Sequence, residues 1–383
     1  MKIPLTLAAA AIIPVFGWTQ TKNVSEAEVM RVHRSALLID THNDITSRTV
    51  DGYDIGGRGD KTTMTDIARM RAGGMAAQFF AVYVSKGYVK DNHSARRALE
   101  MIDTVRHDII DGHTKDFALA LTADDIERIH KQGKIAALLG IEGGHAIEDS
   151  LRPLRDYYLL GVRYMTLTHT NTNGWADSSG DMNAAGVVHH DGLTPFGKQV
   201  IHEMNRLGMM VDISHVADKT FWDVIATGSA PPIASHSSCR ALDPAPRNMT
   251  DDMIRALAKK GGVMQINFYC AFLSKKSFEY DETHPSKEGV PSDMPSATLD
   301  DVVAHIDHAV KVGGIDAVGL GSDFDGIECA PKGLEDVSKW PNLTRALLER
   351  GYSAADIHKI YGGNLLRAMR AVEAESRRLA AAR

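Results

Sequence analysis

The chain has 383 residues, 44% of them apolar and 24% charged, with a net charge of -6. That composition excludes disorder and fibrous architecture, and the length is enough to bury a large core. A mild acidic balance with no long run of Lys and Arg excludes electrostatic binding to nucleic acid and points to small-molecule partners.

Residues 1–19 carry Lys2 and then "IPLTLAAAAIIPVF", an apolar stretch too short to span a bilayer, followed by small and polar residues. This is the pattern of an export signal cleaved after Gly17 or Thr19, with a periplasmic or extracellular destination and no stable membrane anchor afterwards. A retained N-terminal anchor is the alternative. Three cysteines, Cys239, Cys270 and Cys329, are too few for a disulfide scaffold or a Cys-rich zinc module. In an oxidising compartment one pair can still bridge, and the sequence does not say which.

Beyond the signal, apolar runs of strand length alternate with amphipathic segments of helical length. The runs are "LLID" at 37–40, "AAQFFAVYV" at 76–84, "IAALLGIEG" at 135–143, "RYMTLTHT" at 163–170, "MMVDISHV" at 209–216, "PPIASHS" at 231–237, "GGVMQINFY" at 261–269 and "AVGLGSDFDG" at 317–326. They are continuously apolar rather than alternating, as parallel strands covered on both faces must be. Among the helical segments, Thr194 caps one that has Pro195 at its start and Gly208 at its end, and Thr250 caps another that ends before Gly261. Ser353 and Asp356 have capping-box spacing, while Gly362 and Gly363 should weaken the middle of the helix they start. Eight strand–helix units predict an α/β fold of (β/α)8 barrel type in a single domain over 25–375, with a doubly wound open sheet as the alternative. Two polar segments, 171–193 and 271–298, are long for barrel connections and are expected to build the pocket.

The strand ends carry the chemistry. The first ends in His42 and Asp44, the third in Glu142 and His145, the fourth in His169, the fifth in His215, the sixth in His236 and the eighth in Asp323 and Asp325. In a barrel these ends meet around one mouth. Imidazoles and carboxylates without thiolate suit a divalent ion such as zinc, with manganese or cobalt as alternatives. The set exceeds the needs of one open catalytic ion and suits two, with Glu142 between them. His145 reads as a support rather than a ligand, Asp325 as a residue that orients its loop, and His189 and His190 as solvated loop residues. Trp175 either lines the pocket or packs on the base of its own loop.

"IDTHND", "IEGGH", "LTHT" with "WAD", "GLTPFGK", "VDISHV", "ASHSSCRAL", "RNMTDD", "INFY", "GSDFDG" and "GLEDVSKWPNL", in order from about residue 30 to 372, resemble the membrane (renal) dipeptidase family, peptidase family M19 of the amidohydrolase superfamily. The resemblance implies a zinc-dependent dipeptidase with two ions per chain that tolerates a C-terminal D-residue. It implies His42 and Asp44 as ligands of one zinc, His215 and His236 of the other, and Glu142 as the bridge. It gives Asp323 the proton transfer, His169 contact with the substrate carbonyl, and Arg247 with Tyr269 the grip on the dipeptide carboxylate. The animal enzymes carry a C-terminal lipid-anchor signal and disulfides. This chain ends in "RRLAAAR" with cysteines at other positions, so no such anchor is expected, and disulfide pairing and a homodimer stay open. Two other functions also stay open. One is another amidohydrolase on the same site, such as an N-acyl amino acid hydrolase, a lactonase or a deaminase, and the other is a non-catalytic metal- or ligand-binding barrel.

Overall fold

Strands that are apolar on both faces have to be covered by helices outside and by one another inside, which is what closing a parallel sheet on itself achieves. The structure is a computed structural model that describes residues 23–57, 60–284 and 294–382, so the export signal lies outside the described residues. The strands are β1 Leu38–Asn43, β2 Met75–Tyr83, β3 Phe117–Leu119, β4 Ile135–Glu142, β5 Val162–Thr166, β6 Met210–Asp212, β7 Ile233–Ser237, β8 Val263–Ile266 and β9 Val318–Leu320. Their order is β1-β2-β4-β5-β6-β7-β8-β9, with β3 attached to β4. The ring closes just beyond β9, where the Asp44 N–H donates to Phe324 O at 2.9 Å and the Asp323 N–H to His42 O at 3.1 Å. The result is a nearly closed eight-stranded parallel α/β barrel, and that closure excludes the open sheet.

Each of the eight predicted runs contains a strand. β3 is an addition, too short to stand out in the sequence. It pairs with residues 135–137 of β4, before β5 joins β4 at Leu139, and so covers backbone groups that would be left unpaired at that end. Several strands stop earlier than their runs. β5 ends three residues before His169 and β6 three residues before His215, which frees the backbone to turn those rings inward.

The helices start where their caps are written. Thr194 accepts from Gly197 N–H, with Pro195 opening the helix and Gly208 left-handed at its end. Thr250 accepts from Met253 N–H, and Ser353 and Asp356 form a reciprocal capping box. The weak middle expected at Gly362 and Gly363 is a π-helical turn, Lys359–Gly363. A Cβ on Gly362 would fall 2.3 Å from Leu37 O, so close contact with the entry to β1 demands the glycine. Cys270 and Cys329 form a disulfide, and Cys239 is a buried free thiol.

Inside the barrel, Gly140 of β4 pairs with Tyr164 of β5. A Cβ at 140 would lie 2.0 Å from the Tyr164 ring, so the glycine makes room for the phenol. Gly140→Ala is therefore expected to destabilise the fold by about 1–3 kcal/mol through overpacking, whereas Gly87→Ala, which meets nothing closer than 3.7 Å, should stay within about 0.5 kcal/mol. Chemical denaturation of both variants measures this, and equal stabilities would remove the steric role assigned to Gly140.

Candidate active site

The C-terminal ends of the strands deliver the side chains. β1 presents His42 and then Asp44 on one face, because residues two apart on an extended segment share a side. Glu142 is the last residue of β4, and His236 lies within β7. His215 and Asp323 sit beyond β6 and β9 with φ of 66° and 64°, in a left-handed conformation that costs about 1–3 kcal/mol for a non-glycine residue and clusters at functional sites. All of these but Asp323 are buried.

Glu142 is the hub. Its Oε2 is 3.6 Å from His42 Nε2, while its Oε1 is 2.9 Å from His215 Nε2, 3.4 Å from His236 Nε2 and 3.7 Å from His169 Nε2. His42 Nε2 also lies 3.2 Å from Asp44 Oδ2 and 4.0 Å from Asp323 Oδ1, and the Nε2 atoms of His215 and His236 are 2.9 Å apart. Among the described residues, three groups have ligand atoms within 4.8 Å of one another: His42, Asp44 and Glu142; Glu142, His169 and His215; and His42, His236 and Asp323.

The neighbouring hydrogen bonds set the tautomers. Tyr164 has one hydroxyl proton and donates it to Thr41 O at 3.0 Å, so its oxygen accepts from His42 Nδ1–H at 2.8 Å. The lone pair of His42 is left on Nε2, which has no hydrogen-bond partner. His236 is set by the same logic. Ser235 donates its proton to Asp212 Oδ2 at 2.6 Å and accepts from His236 Nδ1–H at 2.8 Å, which again leaves Nε2 bare. Two imidazole lone pairs thus point among buried carboxylates with no proton of their own to offer. An all-nitrogen-and-oxygen donor set in that state fits a hard or borderline divalent cation.

The electrostatics agree. Burial lowers the basicity of His215 and His236 well below the usual range, keeping both neutral. Burial opposes charge on His42 too, but Tyr164, Glu142 and Asp44 around it raise its basicity well above the ordinary value, so the lone pair on Nε2 is a strong site for a cation, whether proton or metal ion. Glu142, although buried, is drawn well below the carboxylate range by His42 and His169 beside it and by the bond from His215. Burial, reinforced by Asp44 and Glu142, pushes Asp323 well up. A divalent ion removes that crowding of negative charge.

The cluster forms the floor of a cavity of about 350 Å³. Arg247 reaches it from the loop after β7. Its Nη2 donates to His236 O at 3.1 Å, its guanidinium lies 5.2 Å from the Phe272 ring centroid, and no carboxylate forms an ion pair with it among the described residues. Burial lowers its pKa to about 10. Tyr269 lines the same cavity, but its hydroxyl donates to Asp281 Oδ1 at 3.0 Å. That proton is already committed, so the grip on a carboxylate expected of both residues falls in this arrangement to Arg247, with Tyr269 as wall. Asp325 accepts from Met64 N–H at 2.6 Å and ties the β9 loop to the segment after β1, as its sequence reading has it. His145 donates from Nε2 to Val84 O at 2.8 Å. Trp175 is fully buried, beneath Gly144 rather than in the cavity wall. His190 Nε2 bonds Asn173 O within the loop of residues 171–193, and His189 faces Asp177 at 3.9 Å.

Five residues here are not singled out by the sequence reading: Tyr164, Asp212, Ser235, Asp40 and Asn267. Asp40 accepts from Ser322 N–H and Oγ–H, and Asn267 Nδ2 donates to Asp323 Oδ2 at 2.9 Å. One signal was available. An acid precedes the histidine by two residues in "DTH" and by three in "DISH", and each acid supports the loop that carries its ring.

The sequence matches the family described as membrane dipeptidase (peptidase family M19) over residues 26–383. The chain belongs to this family. Membership makes it a hydrolase of the dipeptidase class and a metallopeptidase on an amidohydrolase-type barrel. It is 36% identical to an uncharacterized dipeptidase of Schizosaccharomyces pombe, over 92% of this chain and 85% of the relative. Among solved structures it is similar to the probable dipeptidase PvdM of Pseudomonas aeruginosa, with TM-score 0.80 and 26% identity over 92% of this chain and 100% of that one. It is also similar to a metallo peptidase of Rhodobacter sphaeroides liganded with a phosphinate mimic of the dipeptide L-Ala-D-Ala, with TM-score 0.75 and 26% identity over 88% and 99% of the two chains.

For this membrane dipeptidase family member, Tyr164→Phe removes the acceptor that holds the His42 tautomer. Affinity for a divalent ion is expected to fall about 10- to 100-fold, as for other orienting partners of metal-site histidines. Competition with a chelator measures it, and unchanged affinity would show that the tautomer does not matter.

Proposed function

We propose that the protein is an exported dipeptidase that hydrolyses dipeptides, including those with a C-terminal D-residue, with two divalent ions, zinc in the first instance. The observation that carries this reading is Glu142, whose two oxygens face different sets of nitrogens on the floor of a cavity that also holds Arg247, which has no ion-pair partner among the described residues. In this reading His42 and Asp44 hold one ion, His215 and His236 the other, and Glu142 lies between. The alternative grouping of His236 with His42 and Asp323 leaves the same donors around the same space. Bound ions supply Lewis-acid polarisation of the scissile carbonyl and ease ionisation of the attacking water.

The chain's own residues do the rest. Arg247 pairs with the substrate's terminal carboxylate through its planar fork and fixes which amide bond lies over the cluster. His169, at the cavity edge, donates to the carbonyl oxygen as negative charge develops on it. Asp323 takes the proton of the attacking water and returns it to the leaving amine, with Oδ2 held by Asn267 so that Oδ1 stays aimed at the cluster. The related Rhodobacter sphaeroides protein, liganded with a phosphinate mimic of L-Ala-D-Ala, supports a dipeptide in this position and a D-residue at its C-terminal end. The Cys270–Cys329 disulfide supports an oxidising destination such as the periplasm or cell exterior. A purely ligand-binding barrel would have no use for Asp323, and a lactonase or deaminase, whose substrate needs no free carboxylate, would have no use for Arg247.

If Arg247 holds the carboxylate, amidating it should cut kcat/KM by at least about tenfold, since a charge-assisted bond worth about 1.5–3 kcal/mol is lost. Steady-state rates on a free dipeptide and its amide decide the matter. Equal rates would remove the carboxylate grip and favour a general amidase.

Asp323→Asn keeps the shape of the side chain but cannot take up the proton at neutral pH. Turnover should fall at least about a hundredfold, with elemental analysis still giving about two ions per chain. Glu142→Gln should instead lose metal and activity together. A fully active Asp323→Asn, or one that sheds its ions, would assign the base elsewhere.

A further inference from the structure

One wall of the cavity has a chemistry that the hydrolytic reading does not use. It is built by the loops after β8 and β9, which bring Tyr269, Phe272, Ile327 and Glu328 to the cavity. The Cys270–Cys329 disulfide, with the Cys270 N–H donating to Cys329 O at 3.1 Å, fastens the two loops together. Tyr269 and Glu328 each immediately precede a bridged cysteine, so the bridge fixes them as neighbours at the mouth. Glu328 forms no ion pair or hydrogen bond with another side chain among the described residues. Asp281, which accepts the Tyr269 hydroxyl proton, has no cationic partner there either. The wall is therefore an aromatic face flanked by two carboxylates that have no cationic partner among the described residues.

That face leads directly away from the carboxylate anchor. The Arg247 guanidinium lies 5.2 Å from the Phe272 ring centroid, and the Phe272 and Tyr269 ring centroids are 5.0 Å apart, edge to face. A C-terminal residue whose carboxylate is held by Arg247 has Phe272 and then Tyr269 beside it, with the acids at the end of the track. An apolar stem can lie along the rings while a terminal cation gains from the aromatic face and from the carboxylates. An acidic side chain on the same path meets uncompensated like charge.

We propose that Glu328, backed by Asp281, makes the enzyme select dipeptides whose C-terminal residue carries a cationic side chain. The inference rests on the reading that Arg247 holds the substrate carboxylate. It adds the substrate class, and Glu328 acts as a specificity determinant rather than a member of the reacting set.

The test compares kcat/KM for Ala-Lys, Ala-norleucine and Ala-Glu, with either configuration of the second residue, on metal-loaded full-length protein at low salt. The native enzyme should favour Ala-Lys over Ala-norleucine by about five- to tenfold, the range of a partly exposed charge pair, with Ala-Glu the poorest. High salt should shrink the gap. Glu328→Gln should bring the Lys-to-norleucine ratio close to one without changing the rate on Ala-norleucine, and Glu328→Lys should raise the rate on Ala-Glu above that on Ala-Lys. The proposal is overturned if the native enzyme treats Ala-Lys and Ala-norleucine alike, or if Glu328→Gln leaves the ratio as it was. It is also overturned if Glu328→Gln slows both substrates equally, because Glu328 then serves the substrate's free amine or the loop itself. Failure of the underlying reading looks different: Ala-norleucine and its amide would react at equal rates, or no dipeptide would react, and the selectivity argument would fall with it.

Discussion

A carboxylate enclosed by four imidazoles is the constraint from which the rest of the molecule follows. Glu142 is buried at the end of β4 with the Nε2 atoms of His42, His169, His215 and His236 all within 3.7 Å of its oxygens. An ionised carboxylate costs several kcal/mol to desolvate unless charge or hydrogen bonds offset it. Two of the four, His42 and His236, turn lone pairs rather than N–H groups toward the cluster, so a cation among them is what meets that cost. The barrel mouth is therefore stable in its hydrolytic arrangement only around positive charge, and the fold brings β1, β4, β6 and β7 to a common rim, where that charge can be shared. The closing hydrogen bonds between β1 and the β9 loop belong to the same arrangement, since one of them is the Asp323 N–H bonding His42 O.

Below the cluster lies a second polar layer, as buried as the first. Tyr164, Ser235 and Asp212 fix two ring tautomers. Asp40, its carboxyl pushed up to about 6 by burial, is matched by Ser322 N–H and Oγ–H. Gly140 provides the space for the Tyr164 ring. Above the cluster, Gly326 leaves the gap between Asp44 and Asp323, where a Cβ would fall 2.3 Å from one carboxylate and 2.6 Å from the other. His215, Asp323 and Asp325 all take left-handed backbone, conformations that persist only when the surroundings over-determine them. Here the determinants are visible: Ser179 N–H bonds His215 O, His42 O receives the Asp323 N–H, and Asp325 is pinned by Met64 N–H. Strain in three loops is held by hydrogen bonds that reach across from other parts of the chain.

This division explains what was legible in the sequence. The eight main strands could be read because a doubly covered strand is a continuous apolar run, and the residues at the end of each run mark the rim. His42, Asp44, Glu142, His169, His215, His236 and Asp323 all follow from that rule, and all gather in the cavity floor. Tyr164 does not, because a tyrosine inside an apolar run reads as core, and only the register with Gly140 shows that its hydroxyl reaches His42. Nor could the engagement of Tyr269 with Asp281 be read, since a short helix and most of a second helix lie between them. β3 was too short to register, and the pairing of Cys270 with Cys329 depends on loops whose meeting is a tertiary fact. The glycines at 362 and 363 predicted a weakness, and the structure gives it the form of a π-helical turn beneath β1.

Charge balance links the site to the kind of molecule it takes. On the proposed reading two divalent ions meet Asp44, Glu142 and Asp323, three carboxylates among neutral imidazoles, and Arg247 adds a further positive charge with no ion-pair partner among the described residues. The floor is then net positive, and such an excess in a desolvated cavity calls for anionic groups from outside. The ionising water supplies one and a substrate carboxylate beside Arg247 the other. A neutral amide would leave the guanidinium uncompensated, and a substrate with charge only at its amine would add to the excess. At the mouth the sign reverses, with Glu328 and Asp281 near Tyr269 and no cation paired to either among the described residues. The cavity thus runs from net positive at its floor to negative at its rim, and a dipeptide with its carboxylate inward and a cation outward is the zwitterion that this gradient fits.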